Sequence, residues 1–247
     1  MNLQDPRTIS RVFGWLFVAT FVLSIPAYFI LYAPVRDNPG LITGTGADPT
    51  ASVALGAALE VFLIIANVGT AVVIYPILKR QSEIGAIGYV SARLVEGVFI
   101  AIGIVSLLTF LLMRQQATAG TNAAFGEAFV AIYDRAFLIG PGFFAGFANG
   151  VILGYLMYRS GLVPRGMAML GLIGGPLVMA SGIAIMFDVT ERGSTVQAIA
   201  TVPEFFWELS LGIYCIVKGF RPAPILAVDE AVRVPESPSA VRGGSSG

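Results

Sequence analysis

Six long apolar blocks dominate the chain and constrain what it can fold into. An α-helix rises about 1.5 Å per residue, so about 20 apolar residues cross the roughly 30 Å hydrocarbon core of a bilayer. The blocks run roughly over Val12–Leu31, Ser52–Leu78, Gly85–Met113, Gly142–Tyr158, Gly166–Phe187 and Ala198–Val217. The sequence therefore predicts an all-α, polytopic integral membrane protein with six transmembrane helices. The fourth block is the shortest and only marginally long enough, unless its helix extends upstream.

The distribution of basic residues between the blocks predicts the orientation. One set of connections carries eight of them: Arg7, Arg11, Lys79, Arg80, Arg159, Arg165, Lys218 and Arg221. The other set carries four: Arg36, Arg114, Arg135 and Arg192. Because cytoplasmic loops carry an excess of Lys and Arg, we expect both termini in the cytoplasm, an N-in/C-in topology.

Residues 123–139 have a different pattern from the six blocks. Phe125, Phe129, Ile132 and Phe137 recur at helical spacing, with charged residues between them. This pattern predicts an amphipathic helix at the outer interface of the membrane, on the side opposite the cytoplasm. Gly140-Pro141-Gly142 would break or bend this helix. Residues 1–221 then form one six-span domain. The polar residues 222–247 form a disordered cytoplasmic tail that ends in a linker-like GGSSG at 243–247.

Composition excludes several classes of function. Only 12% of residues are charged, against about 25% in soluble domains. Net charge is zero, with 15 basic and 15 acidic residues, so no nucleic-acid partner is indicated. With no histidine and a single cysteine, Cys215, the usual zinc, haem and Ser-His or Cys-His sites are missing. We assign no cofactor, no metal site and no catalytic residue.

Several polar residues lie inside the apolar blocks, where a charge costs roughly 2.5–3.5 kcal/mol. Counted from the cytoplasmic ends at 1.5 Å per residue, five of them lie at a depth of about 12–16 Å. These five are Asn67, Arg93, Glu96, Asn149 and Glu208. Glu204 lies at about 21 Å and Glu60 at about 27 Å, and Trp207 adjoins Glu208. The eight residues together are the candidate site for an ion, a proton or a small ligand.

Arg93 is the centre of this prediction because it cannot readily lose its proton. It needs an ionised carboxylate, from Glu208, Glu96 or both. The sharper hypothesis is that Arg93 bridges the third and sixth spans through Glu208. A buried polar network can also simply hold the helices together, and the sequence leaves both interpretations open. Trp207 either lines a cavity or packs against neighbouring helices. Gly171, Gly174 and Gly175 on the fifth span indicate close helix packing.

Four stretches resemble one bacterial membrane protein family. They are LEVFLIIANVGTAVVIYPILKRQSE (59–83), GYVSARLVEGVFIAIGIVSLL (88–108), PEFFWELSLGIYCIVKGF (203–220) and ILYAPVRDNPGLITGTGAD (30–48). They are similar to the family catalogued as domain of unknown function DUF4386, and the resemblance covers roughly residues 10–220. It implies a multi-pass protein of the bacterial cytoplasmic (inner) membrane. It supplies no substrate, cofactor or catalytic residue.

Three functions remain as hypotheses for a chain of this kind, whose one assured partner is the lipid bilayer. The favoured one is a small transporter or channel-like protein whose polar layer binds an ion, a proton or a small ligand. The second is a non-catalytic sensor or assembly partner in which the polar layer is structural. The third is an intramembrane enzyme acting on a lipid, against which the missing histidine and metal motif weigh. The sequence does not define the oligomeric state.

Overall fold

The computed structural model describes residues 5–118 and 120–227. Within this part of the chain, six helices are long and apolar enough to cross a membrane. They are Pro6–Asp37, Thr50–Leu78, Glu83–Gln115, Ala123–Ser160, Arg165–Met186 and Thr195–Val217. The predicted all-α architecture with six spans is confirmed.

Two of the six spans are composite helices. The first consists of α1 (Pro6–Pro26), a π-helical turn at Ala27–Leu31 and the short α2 (Ala33–Asp37). The fourth consists of α5 (Ala123–Phe137), π-helical segments at Leu138–Phe144 and Gly146–Leu153, and α6 (Gly154–Ser160). The remaining spans are α3 (Thr50–Leu78), α4 (Glu83–Gln115), α7 (Arg165–Met186) and α8 (Thr195–Val217). A 3₁₀ turn at Pro39–Thr43 lies in the first loop.

The fourth span is longer than the sequence predicted, and Gly140-Pro141-Gly142 does not interrupt it. Proline lacks an N–H, and the helix accommodates this by widening into π turns at Leu138–Phe144 instead of breaking. The expected amphipathic helix is therefore the first part of the fourth span, not a separate element. Its buried face is formed by Gly126, Val130, Tyr133 and Ala136, whereas Phe125 and Ile132 of the predicted apolar set are exposed.

The six spans form a closed ring. Each span packs against the next one in the sequence, and α8 returns to pack against α1. Helices that follow one another through short loops are expected to be neighbours, and the contact between α8 and α1 closes the arrangement. Polar side chains that point inward from α3, α4, the fourth span and α8 therefore face a common interior.

The two ends of the ring differ. One end, which we call the basic end, carries the connections rich in Lys and Arg. There the connections around 79–82 and 161–164 meet the start of the tail, and the Arg221 amide donates to the Leu162 carbonyl at 2.8 Å. Residues 222–227 were predicted to be disordered, but Ile225 and Leu226 pack against the core. The predicted disorder of 228–247 lies outside the described residues. The opposite, loop-rich end comprises residues 32–49, 116–118, 120–122 and 187–194.

Glycine brings the fourth span and α7 into backbone contact. A Cβ atom on Gly150 would lie 2.7 Å from the Gly175 nitrogen, and one on Gly175 would lie 2.8 Å from the Gly150 Cα. On the other side of α7, a Cβ on Gly174 would lie 2.7 Å from the Glu204 Cα. The close packing predicted for the α7 glycines is confirmed. It also fixes the position of Asn149, which adjoins Gly150.

Candidate functional site

Arg93 lies at the centre of a closed network between α3 and α4. Its Nη1 donates to Glu96 Oε2 at 2.6 Å and its Nη2 donates to Asn67 Oδ1 at 2.5 Å. Its Nε donates to the Asn67 carbonyl at 3.3 Å, and Asn67 Nδ2 donates to Glu96 Oε1 at 3.0 Å. All three residues are buried. The predicted pairing with Glu96 is confirmed, and each carboxylate oxygen of Glu96 accepts a hydrogen bond.

The hypothesis that Arg93 bridges the third and sixth spans through Glu208 is wrong in its direct form. Among the described residues, Glu96 is the carboxylate that forms an ion pair with Arg93. Arg93 and Glu96 lie three residues apart on one face of α4, so their ion pair forms within a single helix. Glu208 instead accepts a hydrogen bond from Asn149.

A second network connects α4, the fourth span and α8 through Asn149. Asn149 Nδ2 donates to Glu208 Oε1 at 2.5 Å, and Tyr89 Oη donates to Asn149 Oδ1 at 3.1 Å. Trp207 Nε1 donates to the Asn149 carbonyl at 2.9 Å. Asn149 is thus held by three neighbours. Within the described chain, Glu208 Oε2 accepts no hydrogen bond.

Glu60 lies about 10 Å nearer the loop-rich end than Asn67, since seven residues of α3 separate them. Tyr32 Oη donates to Glu60 Oε2 at 3.0 Å, and Tyr133 Oη donates to Oε1 at 3.3 Å. The two tyrosines come from the first and fourth spans. Glu60 is buried, and its carboxylate joins three spans without forming an ion pair with any described residue.

Glu204 and Trp207 lie on the helix-packing side of α8. Glu204 is 4% exposed, and neither of its carboxylate oxygens has a hydrogen-bond partner among the described residues. Its Oε2 faces glycine backbone, at 2.7 Å from where a Cβ on Gly150 would stand. Trp207 is fully buried and packs against Gly171. Both residues therefore lie outside the cavity.

A cavity of about 550 Å³ lies between the first span, α3, α4, the fourth span and α8. It extends from the loop-rich end, at Gly193 and Gln197, to the depth of Arg93 and Glu208. Eleven residues of α8 separate Gln197 from Glu208, which corresponds to about 16 Å. Five predicted site residues line it: Glu60, Asn67, Arg93, Glu96 and Glu208. Asn149 is not among the lining residues, but it donates a hydrogen bond to Glu208, which is.

Apolar side chains form most of the cavity wall. The aromatic ones are Phe21, Tyr28, Phe29, Phe137 and Phe205. Towards the basic end, fully buried apolar side chains fill the ring, including Phe13, Phe17, Ile74, Leu211 and Cys215. The cavity therefore reaches the middle of the bundle from one end, and the apolar core separates it from the other.

Two arginines and an aspartate stand at the mouth of the cavity. Asp134 forms ion pairs with Arg36, at 3.7 Å from Nε, and with Arg192. Tyr28 Oη accepts from Arg36 Nη2 at 2.7 Å and from Arg192 Nη2 at 3.0 Å. We call these four residues the mouth cluster. They join the first span, the fourth span and the loop before α8.

Sequence reasoning missed the tyrosines and the mouth cluster. Tyr89 could have been found, because it lies four residues before Arg93 on the same face of α4. Tyr32 and Tyr133 lie on spans far apart in sequence, and only the fold brings both to Glu60. No three histidine, cysteine or carboxylate side chains in residues 5–118 and 120–227 are placed to hold a metal ion.

Comparison with known families agrees with this architecture. The model of the domain of unknown function DUF4386 matches residues 12–219. The chain belongs to this family. A search of curated proteins and a search of solved structures both return no match. Membership in DUF4386 thus defines a multi-pass membrane protein and assigns no chemistry to the cavity.

Proposed function

We propose that this DUF4386 protein is a membrane carrier that binds a small ligand in the cavity and moves it across the bilayer. The observation that carries the proposal is the cavity itself, which runs from the loop-rich end to a polar inner end in the middle of the membrane. We call this inner end the floor; it consists of Asn67, Arg93, Glu96 and Glu208. A carrier needs such a site to be reachable from one side while the other side is closed. The packed core around Phe13, Phe17 and Leu211 supplies the closed side.

The floor divides into a scaffold and a ligand-facing part. Arg93, Asn67 and Glu96 satisfy one another, which is the arrangement of a structural connection between α3 and α4. Glu208 is held by Asn149 at one oxygen and keeps the other free of hydrogen bonds from the described chain. Glu208 is therefore the main ligand-binding group, and Arg93 stabilises the floor.

Exchange between two open states requires segments that repack. The π-helical turns at Ala27–Leu31 and Leu138–Phe144 contribute cavity-lining residues, among them Tyr28, Phe29 and Pro141. Single π turns are frequent at functional sites of helices. These two turns are the proposed hinges, and the N-in/C-in orientation would make the loop-rich end extracytoplasmic.

Cysteine accessibility tests the proposed pathway, because Cys215 is the only native cysteine and is fully buried. In a Cys215→Ala background, we expect Thr20→Cys, at the cavity wall, to react with a membrane-impermeant thiol reagent. The reaction should occur from the side on which Thr45→Cys reacts. It should not occur from the side on which Gly166→Cys reacts.

The fully buried Ala71 on α3 provides the matched control. Ala71→Cys should stay unmodified from both sides, because it lies in the core beyond the floor. Protection of Thr20→Cys from both sides, or reaction only from the side of Gly166→Cys, would refute the pathway. Ligand binding without uptake into sealed proteoliposomes would instead favour a sensor.

The mouth cluster leads to a second accessibility prediction. Asp134→Asn removes the carboxylate that pairs with both Arg36 and Arg192, so the repulsion between the two cations should increase. We expect Thr20→Cys to react several-fold faster with the impermeant reagent in this background. Glu127→Gln, an exposed change on the same helix, should leave the rate unchanged. An unchanged rate in Asp134→Asn would show that the cluster does not restrict access.

A further inference from the structure

We infer that the ligand is an organic cation with a bulky apolar body, such as a lipophilic ammonium or phosphonium ion. This inference rests on the proposed function, since it concerns the same cavity. It is carried by three features of the cavity: its unbalanced carboxylates, its aromatic wall and its opening towards lipid.

The charges that line the cavity do not balance locally. Arg93 is paired with Glu96, whereas at the mouth Arg36 and Arg192 share Asp134, which leaves one positive charge in excess there. Glu60 and Glu208 also line the cavity, but neither forms an ion pair in the described part of the chain. Two carboxylates therefore face the space without a cation. A positively charged ligand would supply the missing charge, whereas an anion would meet arginines that already have partners.

The wall selects an organic cation over a metal ion. Phe21, Phe29, Phe137 and Phe205 present aromatic rings, and aromatic faces attract organic cations within about 6 Å. The mouth already contains such geometry, with Arg192 Cζ at 5.1 Å from the Phe137 ring centre. A hard metal ion needs several oxygen ligands at once. A volume of about 550 Å³ suits an organic ligand instead.

The two carboxylates suggest how the cation would lie. Glu208 Oε2 is free at the floor, while each Glu60 oxygen accepts from a tyrosine hydroxyl and lies nearer the mouth. The cationic centre would contact Glu208, with the apolar body against Phe21 and Phe205. Glu60 would hold the cation on its way in.

The cavity also borders the lipid-facing surface between the first span and α8. Ile25 is 43% exposed, Phe29 is 67% exposed and Phe205 is 39% exposed, yet all three line the cavity. An apolar body could extend between these side chains towards lipid without leaving the site. This geometry favours an amphiphilic ligand over a fully hydrated one.

The test compares two ions of the same shape and opposite charge, tetraphenylphosphonium and tetraphenylborate. Binding is measured by equilibrium dialysis against the full chain in lipid nanodiscs, with empty nanodiscs subtracted to remove partition into lipid. We expect saturable binding of the phosphonium and at least about tenfold weaker binding of the borate. Glu208→Gln should weaken phosphonium binding by about tenfold or more, and Glu60→Gln by less. Glu127→Gln should change nothing.

The outcomes separate this inference from the proposed function. Equal or tighter binding of the borate, or phosphonium binding indifferent to Glu208→Gln, would overturn the cation assignment while leaving a ligand cavity in place. Binding of neither ion, with Thr20→Cys still accessible from the loop-rich side, would also overturn the assignment but not the pathway. Only an inaccessible Thr20→Cys would remove the cavity and both proposals together.

Discussion

Arg93→Met should destabilise the protein strongly, and adding Glu96→Gln should recover much of the loss. Removing one partner of a buried ion pair costs about 3–5 kcal/mol, because the remaining charge stays buried without compensation. In the single variant, Glu96 would keep only the Asn67 amide as a partner. In the double variant, neither side chain carries a charge, and the amide oxygen of the introduced glutamine can still accept from Asn67. Thermal unfolding in detergent, followed by circular dichroism, measures the difference.

Two further variants complete this cycle. Glu96→Gln alone should also lower the unfolding temperature, since Arg93 would then lack an ionised partner. Arg135→Met, a change at an exposed arginine, should have little effect and controls for the loss of a positive charge. Additive effects of Arg93→Met and Glu96→Gln would contradict the pairing. If the folded double variant keeps phosphonium binding, Arg93 is a scaffold residue, as proposed.

The polar layer could be found from the sequence because depth in a helix is proportional to residue number. Counting along the spans brought Asn67, Arg93, Glu96, Asn149 and Glu208 to one level, and the structure connects them in two networks. Counting gives height but not rotation about the helix axis. The sequence therefore could not decide whether Arg93 faces Glu208 or Glu96.

Glu204 illustrates the same limit. It lies four residues from Glu208, and side chains at this spacing are neighbours on one side of a helix. Four residues turn a helix by about 40° beyond a full circle. On α8 this offset is enough to put Glu204, together with Trp207, against the glycines of α7, while Glu208 lines the cavity. The π turns that shape the mouth were not predictable either, because a proline in a span is compatible with several local geometries.

The second large prediction, for Gly150→Ala, concerns the backbone contact between Gly150 of the fourth span and Gly175 of α7, which we call the seam. The added Cβ would lie 2.7 Å from the Gly175 nitrogen and would also overlap the Gly175 Cα. Backbone atoms cannot rotate away as a flexible side chain can, so the two spans must separate. Overpacking of this kind typically costs about 1–3 kcal/mol, and occasionally more. Because Asn149 adjoins Gly150, its bonds to Tyr89 and Glu208 should be disturbed as well.

Gly166→Ala is the matched control, because a Cβ on Gly166 would meet nothing within 4 Å. It replaces glycine by alanine in the first turn of α7, where alanine favours a helix by up to about 1 kcal/mol. We expect an unchanged or raised unfolding temperature for Gly166→Ala. For Gly150→Ala we expect a clear decrease in that temperature, together with weaker phosphonium binding. Equal stability of the two variants would contradict the backbone contact. A destabilised Gly150→Ala protein with intact binding would mean that Glu208 holds its position without the seam.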